Sequence, residues 1–199
     1  MSHSERYYER REMSNTNPRW PTRRVLASLL LAAFGVAALA GSALAASLVK
    51  NGSFEKDTDG DGVPNSWVGT SLTAADKRVC NQSYAGACSF RMTGPGSIRV
   101  LKQTILYPGG GPAGTYDLSF WYKRKDLPAD GAYFYITFEH VDGSDNDANV
   151  AIPAGTGTWV KGSSFAESTE DYDEIQVWLL FTADSGKVWV DKVKLVLLP

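Results

Sequence analysis

The sequence has few of the residues on which catalysis and metal binding through nitrogen or sulfur usually depend. Two histidines and two cysteines occur in 199 residues, and His140 is the one histidine beyond the N-terminal leader. No G-x-S-x-G motif is present. Carboxylates such as Glu139 and Glu167 could form the pair that glycoside hydrolysis needs, but almost any acidic β protein offers such a pair. We therefore expect the protein not to be an enzyme.

An excess of basic residues is also lacking. Beyond residue 45 the chain has 14 Lys and Arg (20 in the full sequence less six in the leader) and 19 Asp and Glu (22 less three). The net charge of this part is therefore −5, and we see no basic stripe along it. Nucleic acid and anionic membranes are not expected as partners.

The N-terminus carries the features of an export signal. Residues 1–24 are polar and end in two arginines, residues 25–40 are apolar and uncharged, and a small-x-small pattern ends at Ala45. We expect cleavage after Ala45, which leaves residues 46–199 secreted or at the cell surface and without membrane contact. Three alternatives remain open: a twin-arginine signal, a true start at Met13, and an uncleaved anchor.

A helical period sustained over ten residues is missing from residues 46–199. Alternation of apolar and polar residues recurs instead, most clearly in Thr115–Lys125. About ten such segments, separated by Gly, Pro, Asp and Ser, predict an all-β fold, an antiparallel β-sandwich or jelly roll in a single domain. A parallel α/β fold would need crossover helices. The stretch Asp142–Asn149, DGSDNDAN, is predicted to be a polar loop.

The two cysteines, Cys80 and Cys88, both follow the leader. Disulfides persist outside the cytoplasm, and an even number of cysteines at short spacing is typical of a bridge. C-x₇-C without a nearby histidine is a poor zinc motif. We therefore expect a Cys80–Cys88 disulfide.

An acidic loop lies within the segment Leu48–Trp67. Its carboxylates alternate with other residues and therefore repel one another, which a hard cation such as Ca²⁺ would relieve. Against the EF-hand pattern, the loop supplies positions 1, 3, 5, 7 and 9, but position 12 is Val68 instead of Glu. The missing oxygens are expected from Glu55 and a distant Asp, and the alternative is a solvated acidic turn. The predicted loop ligands of a structural calcium are Asp57, Asp59, Asp61, the carbonyl of Val63, and Asn65.

Four short motifs occur along the chain in an order that resembles a known family. They are N-x-x-F-E (Asn51–Glu55), G-x-Y-x-L-S-F-W-Y-K (Gly114–Lys123), G-T-W (Gly157–Trp159) and V-W-V-D-K-V-K-L (Val188–Leu195). The sequence is similar to the carbohydrate-binding modules appended to bacterial xylanases and cellulases, of the galactose-binding-domain-like jelly-roll type. This resemblance implies two antiparallel sheets and a structural calcium near the chain ends. It also implies Glu55 and Asp191 as ligands of that calcium.

The aromatic residues suggest where a sugar would bind, because sugar rings stack on flat aromatic side chains. Strand alternation turns several large aromatics away from the core, more than a soluble surface normally shows singly. We predict that some of them line a concave sheet face with polar partners: Trp121, Tyr133, Tyr135 and Trp178, with Gln176 and Glu139. The alternative is that one or two of them fill gaps at a sheet edge. Trp67 and Trp159 are assigned to the core.

Two functions follow from these expectations. The first is a secreted, monomeric, non-catalytic protein that binds a polysaccharide or a cell-surface glycan and contains a structural calcium. The second is a calcium-stabilised structural or adhesive protein of the cell surface without affinity for sugar. The fold alone does not distinguish them.

Overall fold

The computed structural model describes residues 46–140, 145–168 and 172–199. The predicted export signal, its cleavage site at Ala45 and the alternatives for the leader lie outside these residues and stay predictions. In the described part no helix is long and apolar enough to cross a membrane.

Ten strands make up the regular structure of the described residues. In chain order they are β1 (Val68–Thr70), β2 (Lys77–Val79), β3 (Ser89–Thr93), β4 (Arg99–Leu106), β5 (Gly114–Leu127), β6 (Ala132–His140), β7 (Asp145–Ala151), β8 (Gly155–Ser168), β9 (Tyr172–Phe181) and β10 (Lys187–Leu197). Neighbouring strands pair antiparallel throughout.

The strands form two five-stranded sheets. We call the sheet with the order β1-β4-β9-β6-β7 the front sheet, and the sheet with the order β2-β3-β10-β5-β8 the back sheet. The predicted antiparallel β-sandwich with a jelly-roll fold is thus confirmed. Their outward surfaces are called the front face and the back face below.

The core between the sheets is rich in aromatic residues. Phe120 of the back sheet and Phe134 of the front sheet stack with their ring centroids 4.1 Å apart, and both are fully buried. Phe54 packs against Trp67 and Phe90, so the segment before β1 also belongs to the core. Burial of this much apolar surface is the main stabilising contribution to such a fold.

A buried ion pair ties the two sheets together at one end. Arg99 Nη1 at the start of β4 lies 3.2 Å from Asp76 Oδ2, and both side chains are fully buried. Asp76 also accepts hydrogen bonds from the backbone N–H groups of Thr73 and Thr93, the latter at the end of β3. The pair thus joins the front sheet to the back sheet.

The polar stretch that we expected to be a loop is partly a strand, so that prediction is wrong for Asp145–Asn149. These residues belong to β7, which lies at the edge of the front sheet and pairs with β6. An edge strand is hydrogen-bonded on one side, and natural sheets often carry polar residues there. Alternating hydrophobicity is therefore not needed for such a strand to form.

Candidate functional site

The front face presents alternate residues of β9. Val177 and Leu179 are buried in the core, whereas Trp178 and Leu180 are half-buried on the outer surface. Gln176 points the same way and is 4 % exposed because other side chains cover it. The alternation of the strand therefore places an amide, a large aromatic and an aliphatic side chain in a row.

Strand register brings further residues beside this row. Tyr135 and Thr137 of β6 lie opposite Trp178 and Gln176, and Lys102 of β4 lies opposite Trp178 on the other side. An open depression of about 210 Å³ is lined by Tyr135, Thr137, Trp178 and Leu180. Aromatic surface on two adjacent strands thus lines one hollow.

A polar network borders the depression. The Gln176 Nε2 group donates hydrogen bonds to the carboxylates of Glu139 and Glu174. Gln176 Oε1 accepts a hydrogen bond of 3.2 Å from Lys102 Nζ, which lies 5.1 Å from the centroid of the Trp178 ring. Among the described residues the buried Trp178 Nε1–H has no hydrogen-bond acceptor. The face therefore combines flat apolar surface with charged and amide groups held in place.

The structure brings together five of the six predicted ligand-binding residues on this face: Tyr133, Tyr135, Glu139, Gln176 and Trp178. The expectation that Trp121 shares the face is wrong, because Trp121 lies in β5 of the back sheet and contacts Tyr84. Alternation along a strand tells which residues point away from the core, but not in which sheet the strand lies. Reasoning from sequence missed Lys102, Thr137 and Leu180, which only the pairing register places here.

One aromatic residue was also assigned wrongly to the core. Trp67 is buried as expected, but Trp159 of β8 is half-buried on the outside of the back sheet, with its ring centroid 6.2 Å from that of Tyr84. β8 is an edge strand, where the alternating side chains face solvent on one side.

The acidic loop brings its three aspartates together. Ligand atoms of Asp57, Asp59 and Asp61 all lie within 4.8 Å of one another. Asp57 Oδ1 and Asp61 Oδ1 accept hydrogen bonds from the N–H groups of Gly60 and Val63. Within the described residues, the second oxygen of each carboxylate has no protein donor. This donor set fits a hard cation such as Ca²⁺.

The Asn65 amide, predicted as a further ligand, is hydrogen-bonded within the loop. Asn65 Oδ1 accepts a hydrogen bond from Thr58 N–H (2.8 Å), and its Nδ2 donates to Thr58 Oγ1. Asn51 closes the base of the loop, donating to the carbonyls of Lys56 and Asn65. These bonds keep the loop in shape.

Glu55 and Asp191 meet at another place, the disulfide loop. Glu55 Oε1 accepts from Ala87 N–H (2.9 Å), and Asp191 Oδ2 accepts from the N–H groups of Tyr84 and Ala85. Burial raises the pKa of the Asp191 carboxyl, and its hydrogen bonds with backbone N–H groups partly offset that rise. The two carboxylates thus flank Gly86, and the structure places them on this loop and not in the aspartate group.

The predicted disulfide is present. Cys80 and Cys88 are bonded with an S–S distance of 2.03 Å. The bridge closes the loop that carries Tyr84, so a covalent bond and two carboxylates hold the same short segment.

Structure comparison relates the sandwich to carbohydrate-binding modules. The family 16 carbohydrate-binding module-2 superposes with a TM-score of 0.59 at 18 % identity, covering 75 % of this chain and 99 % of that one. The CBM22-1 xylan-binding domain from Paenibacillus barcinonensis Xyn10C superposes with a TM-score of 0.56 at 18 % identity. This match covers 77 % of this chain and 95 % of that one. The enzymatically active domain of bacteriophage CBA120 tailspike protein 4 superposes with a TM-score of 0.58 at 17 % identity. This match covers 76 % of this chain but 21 % of that one.

At the level of sequence, no family model and no curated protein matches the chain. Sequence identity to these solved structures is below one-fifth. Similarity at that level supports a common fold but does not identify a ligand. The described part of the chain has the jelly-roll fold of carbohydrate-binding modules.

Proposed function

We propose that the protein binds a neutral polysaccharide or cell-surface glycan on its front face and does not cleave it. The observation that carries this proposal is the pair Tyr135 and Trp178 on adjacent strands, which line an apolar depression beside the Gln176 network. A sugar ring presents C–H groups to such a surface, while its hydroxyls need polar partners close by.

The polar network supplies those partners. Glu139 and Glu174 accept hydrogen bonds, Lys102 donates them, and Gln176 holds the three groups together. Glu139 and Glu174 both accept from the Gln176 Nε2 group, so two negative charges lie close together. Lys102 is the positive charge of the same network, and this part of the face is therefore negative overall. An anionic sugar would be repelled there, since like charges brought together without compensation lower affinity.

The proposal of binding without catalysis is supported by the openness of the site. The depression of about 210 Å³ lies on the surface of a sheet, whereas catalytic carboxylates flank the bond they cleave. A surface of this kind can hold several units of a chain polymer side by side.

The remaining expectations enter this proposal unchanged. The protein is secreted or displayed at the cell surface after loss of the leader, acts as a monomer, and contains a structural calcium. The aspartate group at Asp57, Asp59 and Asp61 is the better supported position for that calcium, because three ligand atoms already converge there. Bound calcium would offset the repulsion of these carboxylates and stabilise the loop.

Thermal unfolding with a panel of soluble neutral glycans tests the proposal. The panel includes xylan, β-glucan and β-galactan oligosaccharides, and release of reducing ends is measured in parallel. A ligand that binds the native state alone stabilises it by about 2.7 kcal/mol at a concentration 100 times Kd. We expect one glycan class to raise the midpoint without release of reducing ends. No rise with any glycan, together with self-association of the protein, would favour the adhesive alternative.

A further inference from the structure

The back face carries a concentration of basic side chains, of which only Lys123–Lys125 are consecutive in the sequence. We propose that it is a second binding surface, separate from the front face, for a polysaccharide that bears carboxylate or sulfate groups. The two faces lie on opposite sheets of the sandwich, so this inference does not depend on the function proposed for the front face.

The first part of this surface is centred on Trp189 of β10. Strand register places Trp189 between Arg91 of β3 and Lys123 of β5. A depression of about 310 Å³ is lined by these residues and by Arg124, Lys125 and Gln82, among others. Lys123 Nζ donates to Gln82 Oε1 at 2.6 Å and lies 5.7 Å from the Trp189 ring centroid, which holds its charge over the hollow.

The second part continues along β5. A depression of about 300 Å³ is lined by Lys161, Lys192 and Lys194 together with Ser119, Trp121 and Tyr84. Lys161 lies opposite Trp121, and Lys194 lies opposite Ser119. Because Trp121 and Lys123 are two residues apart on the same side of β5, the two depressions are roughly 7 Å apart along the strand. They can therefore be occupied by one extended polymer.

The charges that line the two depressions are of one sign. The two depressions contain half of the 14 Lys and Arg beyond residue 45, and no carboxylate lines either of them. None of these cations forms an ion pair within the described residues, although acidic residues outnumber basic ones in this part of the chain. Uncompensated like charges close together destabilise the fold, and an anionic ligand would remove that cost.

Three carboxylates lie beside the two depressions, and two of them are hydrogen-bonded within the protein. Asp191, on β10 opposite Trp121, is fully buried and accepts hydrogen bonds from the backbone N–H groups of Tyr84, Ala85 and Lys192. Asp126 lies beside the first depression and accepts a hydrogen bond from Thr156 Oγ1. Asp191 also interacts electrostatically with Lys192, and the third carboxylate, Asp117, lies on the outward side of β5 two residues from Ser119. Seven cations therefore face three carboxylates, and the surface keeps a net positive charge.

The surroundings of the cations favour an acidic sugar over a nucleic acid. Amide and hydroxyl groups that suit sugar hydroxyls lie between the charges, at Asn81, Gln82, Ser119 and Thr156. Single-stranded nucleic acids bind by stacking bases on free aromatic rings. Here the Trp121 ring is covered by Tyr84, and Trp189 is 9 % exposed. Among the rings that line the two depressions, Tyr84 alone is open, at 41 % exposure, whereas successive bases need successive free rings.

Affinity electrophoresis of the protein through gels that contain one polymer each tests the proposal. The polymers are polygalacturonate for carboxylate groups, dextran sulfate for sulfate groups, unmodified dextran as the neutral control, and poly-dT for nucleic acid. The variants are Lys123→Gln/Lys125→Gln and Lys161→Gln/Lys194→Gln. The matched control, Lys50→Gln/Lys56→Gln, removes the same charge from exposed lysines outside both depressions.

We expect the protein to be retarded by polygalacturonate or dextran sulfate at 0.15 M salt, and not by dextran. Each back-face variant should weaken that binding by about tenfold, as expected for loss of charge-assisted contacts, while the control changes it little. Whichever polymer is bound identifies the acidic group. The proposal is overturned if neither acidic polymer binds, if the control weakens binding as much, or if poly-dT binds as well as both acidic glycans.

Discussion

The Tyr84 ring lies flat on the Trp121 ring, with centroids 3.7 Å apart and an angle of 10° between the planes. Tyr84 belongs to the loop closed by Cys80 and Cys88, and Trp121 belongs to β5. The backbone N–H of Tyr84 donates a hydrogen bond to the buried carboxylate of Asp191. The contact joins a covalently closed loop to the back sheet and covers an aromatic surface that strand alternation alone would leave exposed.

Removal of the disulfide should destabilise the protein and loosen this contact. For a loop as short as Cys80–Cys88, the chain-entropy model gives about 2–3 kcal/mol of stabilisation. We expect Cys80→Ser/Cys88→Ser to lower the free energy of unfolding by that amount in urea titrations. Near-ultraviolet circular dichroism should also report a change around Trp121. Tyr84→Ala, which keeps the bridge, should give the spectral change with a smaller loss of stability. Equal stability with and without the bridge would contradict the prediction.

Truncation of Trp178 should weaken binding of a neutral glycan. Stacking on this ring buries apolar surface worth about 1–3 kcal/mol, so Trp178→Ala should raise Kd by roughly 5-fold to 140-fold. Isothermal titration with the glycan found in the thermal panel measures this. Trp121→Ala is the matched control, because it removes the same side chain from the opposite sheet. A larger loss in the control than in Trp178→Ala would argue against the front face.

Breaking the buried ion pair should be costly. Asp76→Ala leaves the Arg99 guanidinium buried without its partner, which typically costs about 3–5 kcal/mol. We expect the double variant Asp76→Ala/Arg99→Met to lose less stability than the sum of the single losses, because it leaves no unpaired charge. A double-mutant cycle in urea measures the coupling. Additive losses would show that the two side chains do not stabilise each other.

A cluster of tyrosines should make the fold sensitive to alkali. Burial raises the pKa of Tyr172 well above its ordinary value, and its hydrogen bond with the Tyr116 hydroxyl raises it further. Burial also raises the pKa of Tyr107 and Tyr116. In the unfolded chain these phenols ionise near pH 10.0, the unperturbed value. Below that pH both states are neutral and the stabilisation is fully present. It is lost as the pH rises above 10, because the unfolded state then releases more protons.

A substitution within the tyrosine cluster tests the predicted fall in stability above pH 10. Tyr172→Phe should cost about 1 kcal/mol at neutral pH through the lost hydrogen bond. It should also flatten the fall in stability above pH 10 by up to about 1.4 kcal/mol per pH unit. Urea unfolding at a series of pH values measures both effects. Tyr84→Phe, outside the cluster, should leave the slope unchanged, and an unchanged slope in Tyr172→Phe would refute the role of Tyr172.

Calcium should raise the thermal midpoint, and a chelator should lower it. Two variants separate the possible positions: Asp57→Asn/Asp61→Asn alters the aspartate group, and Glu55→Gln alters the disulfide loop. We expect the first variant to lose the calcium-dependent rise and the second to keep it. Loss of the rise in Glu55→Gln alone would move the ion to Glu55 and Asp191. If neither calcium nor the chelator changes the midpoint of the parent protein, the aspartate loop is a solvated acidic turn.

Much of the fold was accessible from the sequence because it depends on local patterns. The alternation in β5, β6, β9 and β10 identified strands and their buried sides, and the spacing of the cysteines indicated the bridge. The edge strand β7 escaped detection, since its polar residues need no buried side and look like a loop. The front site was found in part: Tyr135, Trp178 and Gln176 were named, but Lys102 and Thr137 were not.

What the sequence determined by itself is the direction in which each side chain points from its strand, because a strand alternates with period two. What only the tertiary structure decided is which strands are neighbours. Strand pairing places Trp178 and Tyr135 side by side on one sheet, whereas Trp121 lies on the other sheet. All three side chains point away from the core in the same way. It also brought lysines and arginines from four strands, β3, β5, β8 and β10, onto one face, although only Lys123–Lys125 are consecutive in the chain. Sheet neighbours are chosen by long-range packing of the core, and no local pattern encodes that choice.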